Sequence, residues 1–164
     1  MPRLAESIRI IGTGSTALGK LGRPAVDLQR EALEMALASS SLALTDLDGL
    51  VAVPSLSQPM LMQAHFLATK TNLLPRPGFL VRTLDTGGAG PVSAIIQARS
   101  MIKHENCQAV AIVAGDAVAS METEAFLERA DGGIGGAGGS SGLDSPVIPN
   151  GYSRITECVS RTCM

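Results

Sequence analysis

The stretch Ala109-Val-Ala-Ile-Val-Ala114 constrains the fold more than any other part of the chain. Six apolar residues run without a break. A strand open to water on one side would alternate apolar with polar, so an unbroken run predicts a strand covered on both faces. Such a strand needs helices above and below it, and the sequence supplies them in alternation. Ser7–Gly12 reads as a first strand, closed by Gly12 and Gly14. Pro24 suits a first helical turn, and the pattern predicts a helix over about Ala25–Ser40. Its face carries Val26, Leu33 and Leu37, with Leu28, Ala32 and Met35 beside them. Gly49–Val53 reads as a second strand, stopped by Pro54. A helical pattern covers Pro59 to Lys70, and Phe79–Leu84 reads as a third strand. Gly87-Gly-Ala-Gly90 then leads into a helix that begins near Pro91 and reaches about Lys103. A short last helix is expected over Glu122–Arg129. The order β-α-β-α-β-α-β-α predicts an α/β layered fold with helices on a mixed, mostly parallel sheet.

Composition narrows this further. Aromatic residues make up only 2% and apolar residues 45%, so Leu, Val, Ile, Ala and Met must build the core. The net charge is −2 with both signs interspersed, which argues against a nucleic-acid surface. No apolar run approaches the ~20 residues of a membrane-spanning helix. Cys107, Cys158 and Cys163 form no CxxC pair and no metal-ligand spacing with His65 or His104. An odd cysteine count, with no peroxisomal or mitochondrial signal, points to a reducing intracellular compartment, the cytoplasm first. Gly132–Gly142 holds seven of the 18 glycines and reads as a flexible loop. Three segments follow: residues 1–130 as a folded unit, 131–145 as the Gly-rich loop, and 146–164 as an irregular tail.

Several motifs compete for chemistry. Gly14-Ser-Thr-Ala-Leu-Gly19-Lys20 has the spacing of a phosphate-binding loop, but Leu21 stands where a magnesium-binding Ser or Thr belongs. A Gly-rich connection is the better reading. Gly12-x-Gly14-x4-Gly19 is a stretched dinucleotide fingerprint with its third glycine out of step. Cys107 follows a helix and reads as an inert thiol, His104 as a helix-end cap, and Asp116 as a turn-capping aspartate. Gly87–Gly90 joins a strand to a helix, the kind of junction where an α/β fold can place a nucleophile or oxyanion site. Only Asp85 and Thr86 offer functional side chains there. A tight turn is an equal reading.

Ile10-Ile-Gly12-Thr-Gly-Ser-Thr-Ala-Leu-Gly19-Lys resembles the opening strand of thiolases. Glu31-Ala-Leu-Glu-Met-Ala-Leu with Leu44-Thr-Asp-Leu-Asp48-Gly-Leu is similar to their first helix and the turn into the second strand. Val110-Ala-Ile-Val-Ala-Gly-Asp-Ala-Val-Ala-Ser-Met121 resembles the strand and loop after their nucleophile helix. The resemblance covers roughly residues 7–130 and lies nearest the sterol-carrier-protein-thiolase branch. It implies the N-terminal half of an acetyl-CoA acetyltransferase homologue. The family's nucleophilic cysteine opens the buried helix, and the corresponding position here is Gly88, so the resemblance implies no catalytic residue in this chain. CoA or acyl-CoA is the implied ligand, with Gly87, Gly88, Ala89 and Gly90 as the backbone contacts. The family's catalytic His and second Cys belong to a C-terminal half, so a truncated chain is expected, with the apolar face of the Pro91–Lys103 helix uncovered. Thiolases are dimers, which implies a homo-oligomer joined through Phe79–Leu84. A non-catalytic association module is the alternative, and a nucleotide-binding α/β domain using Gly14–Lys20 is a remote one.

Overall fold

The computed structural model describes residues 8–134. The chain divides after Ala119, and the two units are described separately.

The first unit begins with helix α1, Ala25–Ser40. Pro24 precedes it, where a missing N–H costs nothing. Ser41 ends it in the left-handed conformation, and its N–H donates to the Leu37 carbonyl. Leu28, Leu33 and Leu37 turn inward as the periodicity predicts. Met35 does not; it is exposed, and Gln29 is buried in the same helix instead. After a short 3-10 turn at Leu44–Asp46 come strand β1 (Gly49–Ala52), helix α2 (Gln63–Lys70), strand β2 (Leu80–Thr83), helix α3 (Gly90–His104) and strand β3 (Val110–Val113). Helix α2 starts four residues later than the expected Pro59.

The three strands form one sheet in the order β2-β1-β3. Both pairings are parallel, with Gly49 opposite Leu80 on one side and Val110 on the other. Parallel neighbours require a crossover, which α2 and α3 provide. Among the described residues the sheet is parallel throughout rather than mixed.

Leu50 and Ala52 face α1 and α2, with Leu67, Leu73 and Val113 in the same core. Val51 faces the other way, against Ala94, Ala98, Met101 and Cys107 around α3. Side chains therefore alternate across β1 with a layer on each side. The doubly covered strand is thus β1, whose four residues are all buried. The apolar run that suggested this role is β3, an edge strand, and its Ile112 is 38% exposed. Ile112 stands opposite Val51, on the face where α3 is the single helix among the described residues.

The expected first strand does not form over Ile8–Gly12. Its neighbour is a helix rather than a strand. A Cβ on Gly12 would lie 2.4 Å from the Ala36 carbonyl oxygen, and one on Gly14 would lie 2.2 Å from that of Ala32. Thr13 N–H donates to Ser39 Oγ at 2.9 Å. Ser39 Oγ also donates to the Thr13 carbonyl at 2.9 Å, so the chain just past this segment is held against α1 and not in a ladder.

In the second unit, helix α4 spans Thr123–Ile134. It runs past the expected Arg129 and takes in Gly132 and Gly133, the start of the Gly-rich stretch. The rest of that stretch and the tail lie outside the described residues.

Candidate functional site at the carboxyl end of the sheet

All three parallel strands point the same way, so the loops after β1, β2 and β3 gather at one end. Asp116, three residues past β3, ties that end together. Its Oδ1 accepts from Ser55 Oγ at 2.8 Å and Ser57 N–H at 3.0 Å, and its Oδ2 accepts from Leu56 N–H at 2.5 Å. Ala117 N–H also donates to Oδ1, at 2.7 Å. Burial alone would raise the Asp116 pKa. The Ser57 and Ser55 hydroxyls and the backbone N–H groups of Ser57 and Leu56 outweigh it and hold the carboxyl below its ordinary value. The aspartate works as a clamp on the loop leading to α2, the capping role the sequence suggested.

A second polar chain runs beneath the clamp. Gln29 Nε2 donates to the Gly115 carbonyl at 2.8 Å, and Gln63 Nε2 donates to Gln29 Oε1 at 2.7 Å. Both glutamines are buried, and Gln63 Oε1 has no partner. The carbonyl can only accept, so it fixes the orientation of both amides in turn. Neither glutamine stood out in the sequence. An amide on a helix reads as surface, and only the fold brings α1, α2 and the exit of β3 together.

The loop after β2 carries the sequence-predicted site. Gly87–Ala89 form a single 3-10 turn, and Gly90 opens α3 with Pro91 behind it. Asp85 to Ala89 are exposed, whereas Gly90 is buried. A Cβ on Gly90 would meet Val53 Cγ1 at 2.6 Å, so only glycine lets α3 approach β1 this closely. At Gly88 an added Cβ would meet nothing within 4 Å. Gly87 has a φ of +56°, and its N–H donates to Asp85 Oδ1 at 3.3 Å. Thr86 Oγ1 bonds Ser93 Oγ at 3.1 Å. The result is an open backbone turn at the head of a 15-residue helix, with no thiol or amine on it.

Cys107 lies at the far end of α3, roughly 22 Å away along the helix axis. It is buried, and burial, with the charges of Asp48 and Glu105, raises its pKa. Buried and a helix length away, this thiol cannot stand in at Gly88.

The Gly14–Lys20 loop does not open a helix. Gly14 rests against the middle of α1, and three residues separate Lys20 from the Pro24 that leads into Ala25. A phosphate there would find no helix N-terminus. The loop does wall a cavity of about 330 Å³, shared with Leu28 and Ala32 of α1 and with Ala114–Asp116. His65 and His104 are exposed, and among the described residues no cluster of His, Cys, Asp and Glu could hold a metal ion.

No protein-family model matches the sequence, and no curated protein matches it. Solved structures do resemble the fold. A 3-oxoacyl-[acyl-carrier-protein] synthase III from Aquifex aeolicus VF5 matches with a TM-score of 0.56 at 15% identity, over 67% of this chain and 45% of that one. A structure described as the Ltp2-ChsH2(DUF35) aldolase matches at 0.57 and 22% identity, over 76% and 31%. The synthase III from Pseudomonas aeruginosa PAO1 matches at 0.52 and 20%, over 70% and 34%. This chain therefore spans less than half the length of each. At such identities the likeness speaks for architecture alone, and the chain has a thiolase-type α/β fold over the part it shares with them.

Proposed function

We propose that this chain is part of a thiolase-type protein that handles acyl-CoA thioesters, and that it forms no thioester intermediate at Gly88. The observation that carries this reading is the turn at Gly87-Gly88-Ala89-Gly90. It heads α3 at the carboxyl end of a parallel sheet, where α/β folds place ligands, and it bears no nucleophile. A thioester intermediate needs a thiolate, and glycine cannot supply one. The Gly87, Ala89 and Gly90 N–H groups are already donated within the turn, so the Gly88 N–H, with the positive end of the α3 dipole, is the donor that suits a carbonyl or thioester oxygen. The chain belongs, on this reading, with acetyl-CoA acetyltransferase homologues of the sterol-carrier-protein-thiolase branch, as a non-catalytic member. Thermal denaturation with and without acetyl-CoA tests it. A rise in melting temperature that grows with ligand concentration is expected. No shift at millimolar acetyl-CoA would end the reading.

A second reading is favoured by α3 itself. Its small residues Gly90, Ala94 and Ala98 face the sheet, while Val92, Ile95 and Ile96 are 65%, 48% and 65% exposed. A helix apolar on both sides belongs in an interior. The chain would then act by association, with α3 covered by a further lobe. Edge strand β2 offers the family's homodimer surface. Leu80 and Leu84 N–H groups point to β1, which leaves those of Val81 and Thr83 directed outward for a second copy. Light scattering that finds only a monomer at high micromolar concentration would dismiss the homodimer.

A further inference from the structure

We infer that the cavity between the Ser15–Leu21 loop and α1 is a separate ligand site for a small uncharged aliphatic alcohol, and that the loop is a strap that closes over it. The inference goes beyond the reading of Gly88. The cavity lies on the face of the sheet that carries α1, whereas Gly88 leads into α3 on the other face. Its volume of about 330 Å³ stands at the small end of the ~300–1,000 Å³ typical of ligand pockets. One wall is fixed. Leu28 is buried on α1, the Gly115 carbonyl is held by Gln29 Nε2, and Asp116 is anchored by four donated hydrogen bonds. The other wall is loose. From Ser15 to Leu21 no backbone group bonds to another backbone group among the described residues. Inside the loop, Ser15 Oγ donates to the Thr16 carbonyl at 3.3 Å, and nothing else ties it. The chain is pinned just before the loop, where Ser39 Oγ bonds both the N–H and the carbonyl of Thr13, and just after it, where Pro24 leads into α1.

Leu18 supplies the drive for closure. It lines the cavity, yet 94% of its surface is in water. Folding it toward Leu28 and Val118 removes apolar area from water. Closure over an empty space would forfeit the dispersion contacts of the buried walls, and a ligand restores them. Gly19, at a φ of +118°, gives the loop a joint that other residues resist. The lining then selects the ligand. It holds no aromatic ring to stack on, and its apolar part is Ala, Leu and Val. Asp116 is the single charged lining residue, and it repels an anion. Lys20 is exposed between Gly19 and Leu21, which both line the cavity, and its positive charge repels a cation. The polar groups left over are the Thr16 hydroxyl and the unpaired backbone N–H and carbonyl groups of the loop. A ligand hydroxyl both donates and accepts, so it can satisfy either kind.

Hydrogen–deuterium exchange of the full chain, read by mass spectrometry, tests this with three probes of one skeleton: cyclohexanol, cyclohexylammonium and cyclohexanecarboxylate. At millimolar concentration cyclohexanol should slow exchange of the Ser15–Leu21 amides by about threefold or more, the factor reached at twice the Kd, and leave those of β1 unchanged. The two charged probes should leave the loop as it was. Leu18→Ala should keep the wild-type melting temperature, because that side chain is already in water, and lose the protection. Thr16→Val should weaken it. Protection by all three probes or by none, protection spread evenly over the chain, or an undiminished response in either variant would overturn the inference. Acetyl-CoA binding is read by a separate assay and can fail without changing any of these outcomes.

Discussion

Replacing Asp116 with Asn should loosen the carboxyl end of the sheet by about 2.5–3 kcal/mol at neutral pH, and the loss should shrink in acid. The carboxylate accepts four hydrogen bonds, three on Oδ1 and one on Oδ2. A hydrogen bond to a charged group contributes ~1.5–3 kcal/mol net and a neutral one ~1 kcal/mol. The amide keeps its oxygen toward Ser55, Ser57 and Ala117 but loses the charge, at about 0.5 kcal/mol each. Its NH2 must then face the Leu56 N–H, donor against donor, which adds ~1–3 kcal/mol. Partial exposure of the site argues for the lower part of that sum. The sign of the pH effect follows from the lowered pKa. A carboxyl with a folded-state pKa below its unfolded one stabilises the fold above the unfolded value, about 3.9, and loses that stabilisation as pH falls through the folded value. Urea denaturation followed by circular dichroism at pH 7 and at pH 3 should show a large wild-type-minus-variant difference at pH 7 that contracts at pH 3. A difference under 0.5 kcal/mol at pH 7, or one unchanged by acid, would refute the clamp.

Gly90→Ala should cost ~1–3 kcal/mol by forcing a methyl against Val53, measured as a lowered urea midpoint at unchanged slope. Gly88→Cys should be tolerated within ~1 kcal/mol because nothing approaches the new Cβ. Peptide mapping after iodoacetamide should show that thiol alkylated far faster than Cys107, which is buried with a raised pKa. Gln63→Met should cost about 1 kcal/mol in urea denaturation, because Gln29 Oε1 loses its donor while the unpartnered Gln63 Oε1 goes with the amide, and Gln29→Met, which also takes the donor from the Gly115 carbonyl, should combine with it non-additively.

Much of the architecture was legible because it rests on local rules. Pro24 and the apolar spacing of Leu33 and Leu37 mark α1 at both ends, and glycine and proline punctuate β1 and β2. The rank of the strands was not legible. Val110–Val113 looks more central than Gly49–Ala52, because an apolar run reports what a strand can be buried in and not how many strands flank it. Ile8–Gly12 has strand-like composition, but pairing is a property of two segments, and α1 holds this one instead. At the site, the glycines of 87–90 were visible as a turn. The glutamine chain was invisible, since Gln29 and Gln63 matter only through contacts across 34 and 86 positions.

The parallel sheet also dictates an order of assembly. The clamp at Asp116 reaches back 61 residues to Ser55, and Asp48 holds Ala109 across the same separation at the opposite end. Neither aspartate can close its loop until β3 has crossed over and docked beside β1, so each rewards a long excursion of chain only after its entropy has been spent. The turns that would meet a ligand should therefore be the last to rigidify and the first to exchange their amide hydrogens. The surface at this rim sets only when everything beneath it is already in place.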